Sequence, residues 1–384
     1  MHLPKSADIV IIGGGVMGAS TAYHLAARGG LDILLLEREQ FFGQGATGRC
    51  AGGVRYQFST EVNIRLSLAS LPMLERFRDE IGQEIDYRHC GYLMMLTRPD
   101  ELEAFQAHLR LQHRLGVETI WLDGDEVRAR LPVMRLDDVR GCTYNPNDGL
   151  VDPNSVVMGY IRAANRLGAC TLTGVNVTGL LTFKGHVAGV ETTAGKVSTA
   201  TVVNTAGPWA GQVGRLAGVE IPLTPVRRQM LTTTPLPDLP ADFPFVIDFT
   251  HSLYFHRDGE GLLTGMSNPN EKPGFDQEID PDWEITHLEA AAARLPMLEK
   301  AGLVSHWAGL YEVTPDAHPV FGTTPLDGFY ICTGFSGHGF MHGPVAGKLM
   351  SEIILDGKAI TVDVSMLDLS RFAEDRLIQE YNVI

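Results

Sequence analysis

The sequence is poor in what would place it on nucleic acid, in a membrane or among disulfide-stapled proteins. Its 31 Lys and Arg are outnumbered by 46 Asp and Glu, for a net charge of −15. Neither nucleic acid nor an anionic membrane attracts such a chain, so neither is expected as a main partner. No uninterrupted apolar run approaches the roughly 18 residues of a spanning helix. Residues 1–7 are short and polar and the apolar run after them is broken by glycines, so no signal peptide is expected. The five cysteines (50, 90, 142, 170 and 332) are odd in number, scattered and without C-x-x-C spacing. That excludes a disulfide framework and a zinc site, and suggests a reducing, cytoplasmic setting. Internal repeats and low-complexity segments are also missing.

What is present suits two domains: 384 residues with 44% apolar content. The chain is organised around residues 8–38, which read as strand, glycine turn, helix and strand. Gly13-Gly14-Gly15-Val16-Met17-Gly18 fits G-x-G-x-x-G. Gly13 permits the tight turn, Gly15 lets the backbone approach a pyrophosphate, and Gly18 lets the helix pack close to the strand. The helix N-terminus offers N–H groups and positive dipole to phosphate. Glu37, 19 residues beyond Gly18, is placed to accept hydrogen bonds from ribose hydroxyls. A dinucleotide site follows.

Residues 41–58 carry five glycines and read as a functional loop. Helices are expected over 61–81, 101–115, 124–131, 153–166, 282–301 and about 344–355, with Asp152 as an N-cap ahead of Pro153. The turn-rich segment 142–154 reads as a crossing between domains. Between 221 and 266 strands follow one another without helices, which implies an antiparallel sheet. Two more strand–glycine–helix junctions, at 201–209 and 328–340, point back at the opening unit. The predicted fold is therefore mixed α/β. A Rossmann-like nucleotide domain is assembled from segments 1–90, 145–220 and 320–384. A substrate domain, built on an inserted antiparallel sheet, spans 91–144 and 221–319. The tail from Thr361 carries no functional signal. A ligand reached by glycine loops from both ends of the chain is longer than a mononucleotide and suits FAD; an NAD-dependent dehydrogenase rests on the fingerprint alone.

The stretches IIGGGVMGASTAYHLAARG, GATGRCAGGVR, TPVRRQ, VVNTAGPWA, YEVTPDAHPVFG and TGFSGHGFMHGPVAGKL carry a resemblance over nearly the whole chain. The sequence resembles the D-amino-acid oxidase, glycine oxidase and sarcosine oxidase family. It is most similar to sarcosine oxidase β subunits and to the β subunits of dye-linked proline dehydrogenases. The resemblance implies oxidation of a Cα–N bond of a small amino acid or N-methyl amino acid, with hydride transfer to flavin N5. It implies FAD contacts from Gly13, Gly15, Val16, Met17, Gly18, Glu37, Arg38, Thr47, Gly48 and Arg49. Further contacts are expected from Val177, Ala206, Gly207, Trp209, Gly337, Gly339 and Phe340. Arg55 matches the arginine that binds the substrate carboxylate, a task for a planar guanidinium. His338 matches the histidine beside the flavin, where it either tunes the flavin or amine protonation or makes a structural hydrogen bond. Tyr254 matches a substrate-binding tyrosine, provided the strand register turns it to the cleft.

Three departures bear on the chemistry. Met341 stands where monomeric sarcosine oxidases carry a second carboxylate-binding lysine, and Leu263 where they carry the lysine that activates oxygen. Gly309 replaces their flavin-tethering cysteine, and Cys50 is expected to be unlinked. Without a cation near flavin C4a, a dehydrogenase is favoured over an oxidase. The partners expected are a small amino-acid or amine substrate and an electron acceptor or partner subunit. An alternative reading is a flavin-binding subunit that relays electrons within a larger complex and oxidises no amine itself.

Overall fold

Ile9–Ile12 lies inside a six-stranded sheet, parallel to Ile33–Leu36 on one side and to Thr201–Asn204 on the other. Cys170–Leu172 and Phe329–Thr333 extend it in parallel, and Val320–Thr323 closes one edge antiparallel. Both faces are covered, which is why these strands are continuous apolar runs. Ile9, Ile11, Ile33 and Leu35 pack into a core that includes the helices Val16–Arg28, Pro153–Arg166 and Gly339–Asp356. Val10, Ile12, Leu34 and Leu36 face a meander of Val177–Phe183, His186–Thr192 and Gly195–Ser198. The computed structural model describes residues 3–383. Positions 1, 2 and 384, inside the bounds expected for the nucleotide domain, lie outside the described residues.

The second sheet has eight strands, in the order Leu303–Val313, Thr224–Thr233, Gly261–Met266, Leu253–Asp258, Phe245–Asp248, Tyr92–Leu96, Gly141–Asn145 and Ile120–Asp123. It is mixed rather than purely antiparallel, because Phe245–Asp248 runs parallel to Tyr92–Leu96. Those two strands come from distant segments, and only a long connection allows parallel pairing. Strand alternation gives the sheet two distinct faces. Leu93, Met95, Val246, Leu253 and Phe255 pack with the helices Gly124–Arg130 and Pro281–Arg294. Tyr92, Met94, Phe245, Ile247 and Tyr254 fall on the other face.

Three sequence expectations are corrected. The segment read as a crossing starts as an interior strand: Gly141–Asn145 is paired on both sides, to Tyr92–Leu96 and Ile120–Asp123. A ladder on both edges overrides local turn propensity, and only residues 146–148 turn before the short strand Gly149–Leu150. The helix expected over 282–301 ends at Arg294 and gives way to a 3-10 turn, Pro296–Lys300, because a residue before proline is pushed out of the helical region.

The third correction matters most for the site. The last long helix begins at Gly339, five residues before Pro344. Proline has no N–H to give and disturbs the ladder. Here Ser70 bridges the disturbed turn, its Oγ donating to the Met341 carbonyl at 2.6 Å and accepting from the Val345 N–H at 3.4 Å. That helix lies against Val16–Arg28 at a glycine seam, where a Cβ on Gly347 would collide with Ser20 and one on Gly343 with Val16. Gly347→Ala is expected to cost about 1–3 kcal/mol of stability and to loosen FAD retention. Urea unfolding with and without added FAD checks both, and an unchanged midpoint would disprove the close contact.

Candidate functional site

A cavity of about 520 Å³ runs from the C-terminal ends of the parallel strands to the Tyr254 face of the second sheet. At the first end, Gly13 adopts φ +110°, and a Cβ there would stand 2.5 Å from the Thr205 carbonyl oxygen. A Cβ on Gly18 would collide with the Gly13 carbonyl. Gly18 therefore sets the helix position from behind and does not line the cavity, whereas Gly13, Gly15, Val16 and Met17 do. The N-cap residue, Gly15, has no side chain to cap that helix, and Thr47 Oγ1 accepts from the Val16 N–H at 3.2 Å. Glu37 projects from the second strand, its carboxylate accepting from the N–H groups of Gly14 at 2.7 Å and Glu39 at 2.8 Å. Arg38 lies 3.8 Å over the Trp209 ring, and both line the cavity with Val177, Ala206 and Gly207. Gly48 lies outside it, closing the preceding turn through its N–H to the Gly43 carbonyl.

At the far end the two sheets and the last helix converge. Arg49 donates to the Ala308 carbonyl at 2.8 Å, and Trp307 Nε1 donates to the Arg49 carbonyl at 3.1 Å, which ties the loop to the long strand. Gly309 sits beneath Arg49. Gly337 just before the helix, and Gly339, Phe340 and Met341 in its first turn, line the cavity. His338 is buried against Phe58 and His342, with ring centroids 5.2 and 5.3 Å away. Neither of its ring nitrogens has a partner among the described residues. Burial foremost, then His342, His318 and Arg55, push its pKa well below the usual histidine range, so the ring is neutral at physiological pH.

Arg55 lines the same end, buried beneath the Phe58 ring, and its terminal nitrogens donate to the carbonyls of Gln57 and Asn382. Tyr254 turns its ring into the cavity beside Phe245. Leu263 is buried in the sheet core and does not line the cavity. Cys50 does, and burial pushes its thiol up to about 11, which keeps it protonated and a poor nucleophile.

Several residues escaped the sequence reading. Tyr92, Phe245 and Tyr311 complete the aromatic wall, and Arg228 joins them from the TPVRRQ strand. The signal was there for Arg228: of two consecutive arginines on a strand, one must face inward. The tail, which carried no signal, reaches the site. Glu380 accepts from Ser59, Thr60 and Asn63, Asn382 meets Arg55, and Val383 lines the cavity. These pairings link positions more than 300 apart and leave no local pattern.

The glycine cradle, the Glu37 carboxylate at one end and the unpartnered His338 nitrogens at the other fit FAD. The model of the DAO family, FAD dependent oxidoreductase, matches residues 8–353. The chain belongs to this family. Its cofactor is FAD. Human mitochondrial sarcosine dehydrogenase is 33% identical over 388 residues, covering 96% of this chain and 42% of that one. The chain thus spans less than half the length of that relative. Among solved structures, L-proline dehydrogenase from P. horikoshii aligns with a TM-score of 0.91 and 31% identity, over 98% of this chain and 100% of that one. Glycine oxidase from Geobacillus kaustophilus aligns with a TM-score of 0.85 and 25% identity, over 96% and 99%. DAO-family members thus share both the parallel FAD-binding sheet and the second sheet seen here.

Two predictions follow from the geometry. Glu37→Ala removes the carboxylate that accepts from the Gly14 and Glu39 N–H groups beside the glycine turn and is expected to weaken FAD binding about 10- to 100-fold; flavin fluorescence released on dilution measures it. Asp148, buried, accepts from the N–H of Tyr56 and from Gln57 Nε2, and burial pushes its carboxyl up to about 7 despite those bonds and Arg55. Glu312 is pushed up to about 7 by the same cause. A carboxyl raised in the folded state binds a proton that the unfolded chain has released. Its stabilisation is full below the ordinary carboxylate range and is lost as pH rises through about 7. Unfolding free energy is therefore expected to fall between about pH 4 and 7, by up to about 1.4 kcal/mol per pH unit for each group, and to level off above that. Urea titrations across pH should show a shallower slope for Asp148→Asn; an identical slope would place the proton elsewhere.

Proposed function

We propose that this DAO-family protein oxidises the Cα–N bond of a small amino acid or N-methyl amino acid, of the sarcosine, proline, glycine or D-amino-acid class. The observation that carries this reading is the convergence of Arg55, Arg228, neutral His338 and an aromatic wall of Tyr92, Phe245 and Tyr254 at one end of the FAD cavity. FAD, when bound, supplies the two-electron acceptor that takes the Cα hydride at N5. The protein supplies position and protonation state. Cationic guanidinium attracts the substrate carboxylate, while the aromatic wall confines the side chain and excludes water. His338, uncharged, can donate a ring N–H to the lone pair of a neutral amine, which favours the unprotonated form without placing a second positive charge beside it. Met341 and Phe340 close the floor with apolar surface.

Dehydrogenase chemistry is the better reading of the electron-accepting half. No lysine lines the cavity among the described residues, and Leu263 is withdrawn into the sheet. No lysine thereby stands at the position matched to the oxygen-activating lysine. Electrons then leave for an acceptor or partner subunit, and the five free cysteines support a cytoplasmic setting. Mixed anaerobically with sarcosine, L-proline, glycine and D-alanine, the holoenzyme is expected to lose its flavin colour with at least one. The reduced protein should reoxidise faster with an artificial dye than with air. If none of the four bleaches the flavin, the substrate class is wrong; rapid reoxidation by air would make the protein an oxidase.

A further inference from the structure

We infer that Arg228 is the anchor for the substrate carboxylate, an assignment that rests on the proposed amino-acid oxidation. Four arginines line the cavity. Arg38 pairs with Glu39 and covers Trp209. Arg49 donates to the carbonyls of Gln44 and Ala308, and Arg55 to those of Gln57 and Asn382. Each of these guanidinium groups is already engaged by the chain.

Arg228 is different. Alternation along Thr224–Thr233 sends Arg227 to the other face, where it pairs with Glu271, Asp276 and Asp280. Arg228 and Met230 then point into the cavity. Among the described residues Arg228 forms no ion pair, and its one hydrogen bond runs from Nη1 to the Arg227 carbonyl at 3.0 Å. Its Nε is buried without a partner. Leaving such a donor unmade is costly, and a ligand that supplies the acceptor recovers the loss. Nε and Nη2 form the guanidinium edge that takes a carboxylate through two parallel bonds. Tyr311 supports the group from below, its ring 5.0 Å from Arg228 Cζ. Tyr92, Tyr254 and Tyr311 line the same cavity, and a tyrosine hydroxyl can donate to the same anion. The site thus selects amines that carry a carboxylate over plain amines.

The test compares wild-type holoenzyme with Arg228→Met and Arg228→Lys. Substrates are the best amino acid of the panel and an amine lacking the carboxylate, pyrrolidine or dimethylamine. Arg228→Met is expected to raise KM for the amino acid on the order of 10- to 100-fold, to change kcat far less, and to lower the preference for the amino acid over the plain amine by a similar factor. Arg228→Lys should recover part of the loss. Propionate, bound by calorimetry and therefore without turnover, should bind Arg228→Met at least about 10-fold more weakly than wild type. The inference is overturned if KM and propionate affinity are unchanged in Arg228→Met. It is equally overturned if both substrate types lose activity alike, which would mark a structural arginine. Should wild type oxidise none of the panel yet bind propionate through Arg228, the proposed reaction fails while the anion site stands.

Discussion

The molecule depends on one close contact, the seam where Gly343 and Gly347 of the last helix lie against Val16 and Ser20 of the first. Any side chain at those glycines would hold the helices apart. Ser20 Oγ reaches the Pro344 carbonyl at 3.0 Å across it. Because the seam is this tight, the first turn of the late helix arrives beside the glycine turn of the early one, and the two ends of the chain share one cavity. Pro344 serves the same end: the turn it disturbs is where Ser70 enters, so the helix remains continuous while its first turn, with His338 and Met341, opens on the cavity.

A second constraint comes from the tail. Arg371 is fully buried and pairs with Asp316, itself fully buried, at 2.8 Å, with further donations to the carbonyls of Leu367 and His318. Such a pair contributes little against an apolar replacement, but breaking it by removing one partner costs about 3–5 kcal/mol. It fixes the direction of the last residues, so that Glu380 closes on Ser59, Thr60 and Asn63 and Asn382 meets Arg55. The chain's own carbonyls thereby occupy one arginine of the site and leave another, Arg228, with open donors. Electrostatics at this end are otherwise muted by burial: His338 is neutral, and Asp148 and Glu312 hold their protons to about pH 7. Uncompensated positive charge is confined to a few guanidinium groups, which suits an anionic substrate.

Much of this was legible in the residues. Continuous apolar runs at Ile9–Ile12 and Ile33–Leu36 mark strands covered on both faces, and glycine spacing marks the turn between them. Local chemistry also announced the helix after Asp152, whose carboxylate accepts from Asn154 and Ser155 as an N-cap should. Gly141–Asn145 was not legible, since its strand state depends on neighbours far away in sequence. The start of the last helix was hidden for a related reason. Pro344 reads locally as a beginning, and only the Ser70 hydroxyl on another helix makes it an interior residue.

The sequence by itself determined the family, the cofactor and the position of both glycine loops, because these rest on backbone geometry that few residue types permit. Tertiary structure decided what faces the substrate. Strand register turned Tyr254 and Arg228 inward and Arg227 outward, and the buried tail engaged Arg55. Those outcomes depend on pairing between distant segments, where a shift of one residue reverses every side chain, and no local pattern records it.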